Sequence, residues 1–479
     1  MKTTTLFSLI ASTCLLAACD HGDPAVQAAQ QGPGPTLPAL KNYLLPPMKV
    51  SPAGSWKQGE SPVVPASLKI SALATGLMHP RFVYALPNGD ILVVESNGPK
   101  QPKMRPKDVI MGPIKAYGGS AQKGGNRITL IRPASGGAAA QRTIFLDHLK
   151  SPFGVALVGN DLYVANADSL MRYPYTEGDT KITAAGTKVI DLPGAEGALN
   201  HHWTKSLLAS PDGTKLYVGV GSNSNITENG MEAEMNRADI LEVDRASGAT
   251  RIFASGLRNP NSMQWEPHSK AMWVVVNERD EIGPDLVPDY LTSVRDGGFY
   301  GWPYSYYGQH VDPRVMPQRP DLVAKAIVPD YALGSHVASL GLVFNTPGST
   351  MPPSFREGAF VGEHGSWDRS PPSGYKVVFV PFHDGKPSGK PVDVVTGFLA
   401  NGHAKGRPVG LAMDRSGALL VADDVGNTVW RVSAAGGLEV LTKARPPAFF
   451  CRLGPDRVCR SGLGSTATGL GSIPDLSLR

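Results

Sequence analysis

Pro80-Arg81-Phe82-Val83-Tyr84-Ala85-Leu86-Pro87-Asn88-Gly89-Asp90-Ile91-Leu92-Val93-Val94 is the stretch that decides the fold. A proline and an apolar pair lead into a Pro-Asn-Gly-Asp turn, and a run of β-favouring residues follows the turn. Short apolar runs separated by turn residues are typical of antiparallel strands. The stretch therefore predicts a β-hairpin.

The same unit recurs along the chain. Glycine (54) and proline (42) are frequent and long helical periodicity is absent, so the sequence predicts an all-β domain. The recurring units are spaced by about 55 to 80 residues, more than a minimal four-stranded blade needs, and the excess is assigned to loops. The six units lie at 80–94, 152–164, 206–218, 261–276, 340–361 and 409–422. Radial repetition of small sheets predicts a six-bladed β-propeller over residues 65–435, with an array of β-sandwiches as the alternative.

The first residues predict export. Residues 1–18 combine a positive start with a short apolar run, which is typical of a secretory signal and too short to span a bilayer. Cys19 follows Leu-Ala-Ala and resembles the lipidated cysteine of a bacterial lipobox; an ordinary signal peptide is the alternative. Asp20 resembles the signal that retains lipoproteins at the inner membrane of enteric bacteria. We expect a periplasmic protein whose only membrane contact is a lipid anchor, with residues 19–64 as a flexible tether.

The cysteines and the net charge indicate which cofactors and partners the protein is expected to lack. Cys451 and Cys459 lie close together in a predicted C-terminal tail, residues 436–479, and in an oxidising compartment they predict one local disulfide; two free thiols are the alternative. The absence of Cys-x-x-Cys-His excludes a fused c-type haem. A net charge of +5 with dispersed basic residues does not favour nucleic-acid binding.

The chemistry concentrates around residues 256–303. Arg258 and Asn259 precede one predicted strand, and an acidic cluster follows it. In a sheet-built fold, this order places an anion-binding group and a cation-binding group at one sheet end. Arg81 and Arg407 occupy the same place in other units, and converging arginines bind carboxylates with paired hydrogen bonds. A bound species with several carboxylates is therefore predicted.

A histidine pair and an acidic run add a base and a cation site. His201 and His202 lie on the loop that enters the third unit, and histidine exchanges protons near neutral pH. The run Glu278-Arg279-Asp280-Glu281 suits a hard cation such as Ca²⁺, with a solvated, ion-paired loop as the alternative. Residues 363–369 form a further polar cluster after the fifth unit.

The order of these motifs resembles the soluble quinoprotein sugar dehydrogenases. The matching motifs are the histidine before the third unit, Gly-Leu-Arg-Asn-Pro at 256–260, Asn-Glu-Arg-Asp-Glu at 277–281, Gly-Gly-Phe-Tyr-Gly-Trp-Pro at 297–303 and Gly-Arg-Pro-Val at 406–409. The family consists of six-bladed propellers that use pyrroloquinoline quinone (PQQ) and Ca²⁺. The branch that oxidises L-sorbosone, aldoses or pyranoses is the most similar.

The resemblance implies roles for individual residues. His202 would be the catalytic base, with His201 as the alternative. Arg258 and Asn259 would hold the quinone and the reacting sugar hydroxyl, and Arg369 and Arg407 would pair with PQQ carboxylates.

Further implied contacts follow the same motifs. Lys205 and Asp424 are additional candidates for binding the cofactor. The backbone of residues 278–281 would supply Ca²⁺ ligands, although Asp280-Glu281 stands where the glucose-oxidising branch has Gly-Pro.

The implied reaction is the oxidation of a sugar hydroxyl or aldehyde hydrate by hydride transfer to PQQ. Electrons would then pass to a respiratory acceptor, a quinone or a cytochrome. Two other functions fit a propeller: a Ca²⁺-dependent lactonase, which needs metal-binding carboxylates on several blades and no convergent arginines, and a non-catalytic binding module.

Overall fold

The computed structural model describes residues 21–41, 48–100, 102, 112–114, 116–134, 140–194, 197–346 and 348–436. The chain divides into two units, Met1–Gly437 and Leu438–Arg479, and the second unit lies outside the described residues. Cys19, Cys451 and Cys459 also lie outside them, so the lipid anchor and the disulfide stay predictions. No helix among the described segments is long and apolar enough to cross a membrane.

Strands dominate the described structure. In chain order they are β1 (Leu68–Ala74), β2 (Pro80–Ala85), β3 (Ile91–Glu95), β4 (Arg127–Arg132), β5 (Gln141–Leu146), β6 (Gly154–Val158), β7 (Asp161–Ala165), β8 (Ser169–Pro174), β9 (Thr187–Asp191), β10 (Lys205–Ala209), β11 (Lys215–Val220), β12 (Asp239–Asp244), β13 (Thr250–Ser255), β14 (Pro260–Trp265), β15 (Met272–Val276), β16 (Pro288–Ser293), β17 (Gly298–Phe299), β18 (Ser305–Tyr306), β19 (His310–Val311), β20 (Tyr331–Ser335), β21 (Ser339–Phe344), β22 (Gly358–Glu363), β23 (Lys376–His383), β24 (Lys386–Pro387), β25 (Val392–Val395), β26 (Leu399–Ala400), β27 (His403–Ala404), β28 (Pro408–Met413), β29 (Leu419–Asp423) and β30 (Thr428–Ala434). The helices are α1 (Pro24–Ala29) and α2 (Pro320–Val323), with single 3₁₀ turns at Met231–Glu234 and Pro353–Phe355.

Six antiparallel sheets form the blades of a propeller, which confirms the predicted all-β, six-bladed fold and excludes the β-sandwich array. From the channel outward the blades are β2-β3-β4-β5, β6-β7-β8-β9, β10-β11-β12-β13, β14-β15-β16-β20, β21-β22-β23-β25 and β28-β29-β30-β1. Each innermost strand contacts the next one, and β28 contacts β2, so the ring is closed. The first strand completes the last blade by pairing with β30, from Leu68 opposite Ala434 to Ala74 opposite Val429.

The hydrophobic core consists of six clusters, one between each pair of neighbouring blades. In β3, Ile91 and Val93 pack toward the sixth blade, whereas Leu92 and Val94 pack toward the second. Successive side chains of a strand point to opposite faces of its sheet, and here both faces are covered. This is why the second strands are continuous apolar runs in the sequence rather than alternating ones.

The segment before the propeller corrects the prediction of a flexible tether over residues 19–64. Its described residues bridge to blade strands and loops, including Gly32 to Ala332 and Val63 to Thr396. Trp56 packs edge-to-face against Phe398 and Trp430, with ring centroids 5.8 and 5.4 Å apart. The amino-acid composition of the segment does not predict these contacts. A few large side chains bind the segment to the propeller, and no periodic apolar face is present to signal the packing.

Glycine allows the innermost strands to approach each other. A Cβ on Gly341 of β21 would overlap the carbonyl oxygen of Val409 on β28. We predict that Gly341→Ala lowers the thermal unfolding midpoint, with a loss of about 1–3 kcal/mol as in overpacked cores. Gly34→Ala is the control, because a Cβ there meets nothing within 4 Å. Equal midpoints for the two variants would contradict the close approach of the strands.

Candidate functional site

A cavity of about 680 Å³ opens at one end of the central channel. The residues before an innermost strand and those after the second strand meet at this end, because the two strands are antiparallel: Pro260 pairs with Val276, and Pro408 with Asp423. Its polar lining consists largely of such residues, including His79, Arg81, His201, His202, Asn225, Arg258, Asn259, Asn277, Glu278, Asp280, Glu281, Asp289, His336, His364 and Arg407. The recurring position noticed in the sequence is therefore the wall of one cavity.

His202 lies in this wall in a form suited to accept a proton. Its Nδ1 is 2.7 Å from the carbonyl oxygen of Ser222, which can only accept, so Nδ1 carries the proton and Nε2 is the free base. Burial and the positive charge of Arg258 hold the pKa of His202 well below its usual value. His201 also lines the cavity, is more exposed, and stacks edge-to-face on His202 at 4.8 Å.

Two arginines form a cationic side of the cavity. Arg81 is the second residue of β2 and Arg407 directly precedes β28, and the Nε of each is buried without a hydrogen-bond partner in the described structure. Arg407 lies over the ring of Tyr375 at 4.6 Å and donates to the carbonyl oxygen of Gly365. Buried donors without acceptors are costly, so these groups indicate an acceptor that a ligand would bring.

Arg258 and Asn259 line the cavity beside His202. The Arg258 guanidinium donates to the backbone and side-chain oxygens of Asn225 at 3.2 and 3.0 Å and to the carbonyl oxygen of Glu278. Asn259 has a buried Oδ1 that accepts no hydrogen bond from any described residue. Arg258 therefore stabilises the loops that form the cavity wall. The Oδ1 of Asn259 is a hydrogen-bond acceptor in that wall that no described residue uses.

Asp424 lies behind the cationic side rather than in the cavity wall. Its carboxylate pairs with Arg81 and with His364 Nε2 at 3.0 Å, and His79 is 3.6 Å away. Burial would raise the pKa of Asp424, but His364, His79 and Arg81 together lower it. The residue orients the groups that reach the cavity, which corrects its prediction as a direct cofactor contact.

Lys205 and Arg369 also require correction. The buried Lys205 ammonium donates to Asn200 Oδ1 at 3.2 Å and to the carbonyl oxygen of Trp203 at 3.1 Å, so it braces the loop that carries His202. Arg369 is bonded to Asp285 at 2.8 Å. Neither side chain lines the cavity, because each is turned into the protein by a nearer partner.

The residues of the predicted Ca²⁺ site, 278–281, do not all face the cavity. Arg279 is completely buried and pairs with Glu278 at 3.0 Å and Asp312 at 3.1 Å, so its side chain faces away from the cavity. Glu278, Asp280 and Glu281 belong to the residues that line the cavity, although the side chain of Glu278 is itself fully buried against Arg279.

The backbone carbonyls of this run do not fit the predicted Ca²⁺ site. The carbonyl of Glu278 accepts from Arg258, and that of Asp280 accepts from Asn225 at 3.0 Å and Arg314 at 3.2 Å. The carbonyl of Glu281 also faces Arg314, at 3.4 Å. Guanidinium and amide groups thus already donate to the carbonyls of Glu278, Asp280 and Glu281, and this corrects the ligand set that the resemblance implied for these three residues.

A different set of potential cation ligands lies at the same wall of the cavity. Ligand atoms of Asp280, His336 and Asp368 lie within 4.8 Å of one another. His336 and Asp368 were missed as metal candidates because they lie on different loops and match no ligand spacing. The polar run 363–369 was the one sequence signal that pointed to Asp368.

Comparisons with known proteins identify the family and the fold. The model of the family described as TrAA12-like matches residues 121–288 and 322–435. An uncharacterized protein of Borreliella burgdorferi is 26% identical over 295 residues, which cover 59% of this chain and 76% of that protein.

Solved structures share the propeller fold. The holo form of the pyranose dehydrogenase PQQ domain from Coprinopsis cinerea superposes with a TM-score of 0.63 at 20% identity, over 80% of this chain and 100% of that domain. The calcium structure of the Trichoderma reesei family AA12 enzyme gives 0.63 at 18% identity, over 82% and 100%. The PQQ-bound aldose sugar dehydrogenase from Streptomyces coelicolor gives 0.51 at 14% identity, over 78% and 99%.

Glu363, at the end of β22, is a buried carboxyl whose two oxygens find no hydrogen-bond partner among the described residues. Burial raises its pKa from 4.5 to about 8. The folded state therefore keeps a proton that the unfolded state loses between about pH 4.5 and pH 8, and this contribution to stability falls as pH rises through that window.

We predict that Glu363→Gln flattens this part of the pH dependence. The difference between the unfolding midpoints of Glu363→Gln and the natural chain should grow in favour of the variant from about pH 5 to pH 8. The exposed Glu357, which directly precedes the same strand, provides the control Glu357→Gln. Parallel pH profiles for Glu363→Gln and the natural chain would contradict the raised pKa.

Proposed function

This chain belongs to the TrAA12-like family, as the resemblance to quinoprotein sugar dehydrogenases predicted, and we propose on that premise that it is a PQQ-dependent oxidoreductase that oxidises a sugar. The substrate class is that of the pyranose and aldose dehydrogenases named among its structural neighbours, with L-sorbosone as a further candidate. The observation that carries the proposal is one cavity that joins a neutral histidine base to arginines with unused donors.

The cationic side of the cavity fits PQQ. The cofactor is a rigid anion with several carboxylates, and arginine binds carboxylates through paired, charge-assisted hydrogen bonds. Arg81 and Arg407 each present a buried Nε without an acceptor in the described chain, and Asn259 presents an unused Oδ1. Arg81 and Arg407 would hold the carboxylates of the cofactor, Asn259 Oδ1 would accept a hydrogen bond from a sugar hydroxyl, and Arg258 would complete the positive surroundings.

His202 would act as the general base. PQQ, when bound, supplies the acceptor for the hydride that leaves the sugar carbon. The sugar hydroxyl donates its proton to Nε2 of His202, while Nδ1 keeps its hydrogen bond to the Ser222 carbonyl and fixes the ring. Because Arg258 and burial keep the imidazole neutral, the base is available over a wide pH range.

The convergent arginines argue against a propeller lactonase, which has no use for an anion-binding wall. The neutral His202 argues against a non-catalytic binding module, because such a module needs no general base in its cavity. The carbonyls of Glu278, Asp280 and Glu281 already accept hydrogen bonds from side chains, so no step is assigned to the Ca²⁺ that accompanies PQQ in the resembling family.

We further propose that the enzyme works at a bacterial membrane, in the periplasm, and passes electrons to a quinone or cytochrome. The lipobox-like Cys19 supports the anchor. Gly22 already donates to the Ser370 carbonyl at 2.7 Å, and Asp23 to Asp285 at 2.9 Å. Three residues span at most about 11 Å, so a lipid on Cys19 would hold the propeller close to the bilayer.

We predict that His202→Gln lowers the rate of sugar-dependent dye reduction by at least about 100-fold, because a general base typically contributes a factor of that size. PQQ binding, followed by its absorbance, should persist. In the natural enzyme, the acid-side loss of kcat/KM should lie well below pH 6.5, because the pKa of His202 is lowered. His201→Gln is the matched variant on the neighbouring ring; loss of turnover in that variant alone would assign the base to His201.

We predict that Arg407→Gln weakens PQQ binding by at least about tenfold, because it removes a charge-assisted donor from the cavity. Arg415→Gln is the control: Arg415 follows the same strand, β28, but is exposed in the turn at its other end. Titration of the purified chain with PQQ measures both. Equal PQQ affinities for Arg407→Gln and Arg415→Gln would contradict the assignment of the cationic side of the cavity to the cofactor.

A further inference from the structure

We propose that Asp280, His336 and Asp368 form a binding site for a divalent transition ion of the zinc class, one that opens into the cavity. The residues come from the loop after β15, the loop after β20 and the loop after β22. The inference stands on the geometry of these side chains and is independent of the proposed oxidation of a sugar. It differs from the carbonyl Ca²⁺ site that the sequence predicted.

The distances suit a metal. His336 Nδ1 is 3.3 Å from Asp280 Oδ1 and 3.5 Å from Asp368 Oδ2. Ligands about 2.1 Å from a tetrahedral ion lie about 3.4 Å apart. Two of the three separations are therefore already close to those that a shared ion requires, and the ligand atoms of all three residues lie within 4.8 Å of one another. Small rotations of the side chains would close the set.

The other nitrogen of His336 is held as in a metal-binding histidine. Nε2 lies 3.0 Å from the carbonyl oxygen of Gly283, to which it must donate. This bond fixes the ring and directs Nδ1 at the two carboxylates, the arrangement by which outer hydrogen bonds orient metal ligands. His336 has a φ of 57°, an uncommon backbone conformation for a residue other than glycine, and such residues concentrate at functional sites.

Asp368 supplies the second observation. The residue is 5% exposed, and its Oδ1 has no hydrogen-bond partner among the described residues. A buried carboxylate oxygen without a donor is expensive, and a bound cation would satisfy it. An ion pair with His336 uses only the Oδ2 side of this carboxylate.

The donor set selects the ion. Ca²⁺ takes six to eight oxygen ligands, whereas imidazole nitrogen suits zinc, copper, iron and nickel. Two carboxylates and one imidazole match a three-ligand site with a remaining open position. Asp280 and His336 line the cavity while Asp368 lies behind them, so the open position faces the space in which a ligand would bind.

The test uses the purified full-length chain, stripped with a chelator and free of PQQ and sugar. Isothermal titration with Zn²⁺ should show one ion per chain, bound at least about tenfold more tightly than Ca²⁺. X-ray absorption at the zinc edge should show one nitrogen ligand among oxygens. His336→Gln should weaken Zn²⁺ binding by at least about 100-fold, since loss of an outer-shell partner alone costs 10–100-fold. His148→Gln, at an exposed position outside the cavity lining, should bind as the natural chain does.

Asp368→Asn keeps the shape of the side chain and gives the same test if His336→Gln does not fold, as judged by its unfolding midpoint. Tighter binding of Ca²⁺ than of Zn²⁺, several weak sites, or unchanged affinity in both variants would overturn the proposal. Because PQQ takes no part, failure here is distinct from failure of PQQ binding or of dye reduction, which would overturn the proposed function alone.

Discussion

The packing of each blade against both of its neighbours is the constraint on which the rest of the structure depends. Side chains of the second strands alternate between two interblade clusters, as Trp273 and Val275 do on one side of β15 and Val274 and Val276 on the other. A blade that lost either neighbour would expose half of this apolar surface to water, at about 25 cal/mol per Å². Closure of the ring by β1 is therefore a condition for the stability of every blade.

The same constraint positions the chemistry. Because each innermost strand is fixed by its neighbours, the loops at its channel end are held at defined distances around the axis. Rigid strands thereby bring Arg81, His202, Arg258 and Arg407 to one cavity, although more than 300 residues separate the first from the last. Loops positioned by a rigid scaffold are a common way to build a binding site.

The electrostatics of the cavity divide between its two sides. Arg81 and Arg407 present unused donors on one side, while Asp280 and Asp368 with His336 form an acidic group on the other. His202 lies near Arg258, which keeps its imidazole neutral. An anionic cofactor and a cation would therefore find separate places in one space, although most of these groups lie outside residues 256–303, where the sequence predicted this chemistry.

The sequence by itself determined the fold and the position of the cavity residues in each unit. Apolar runs and Pro/Gly turns repeat locally, and a residue that precedes an innermost strand, such as Arg407, faces the channel in any propeller. Only the tertiary structure decided which of the other polar residues reach the cavity. Asp285 turns Arg369 away from the cavity, and Asn200 does the same for Lys205. Asp285 is distant from Arg369 in the sequence, and no sequence pattern marks Asn200 as the partner of Lys205. His336 joins Asp280 and Asp368 only because two blades pack side by side, and no local pattern records that proximity.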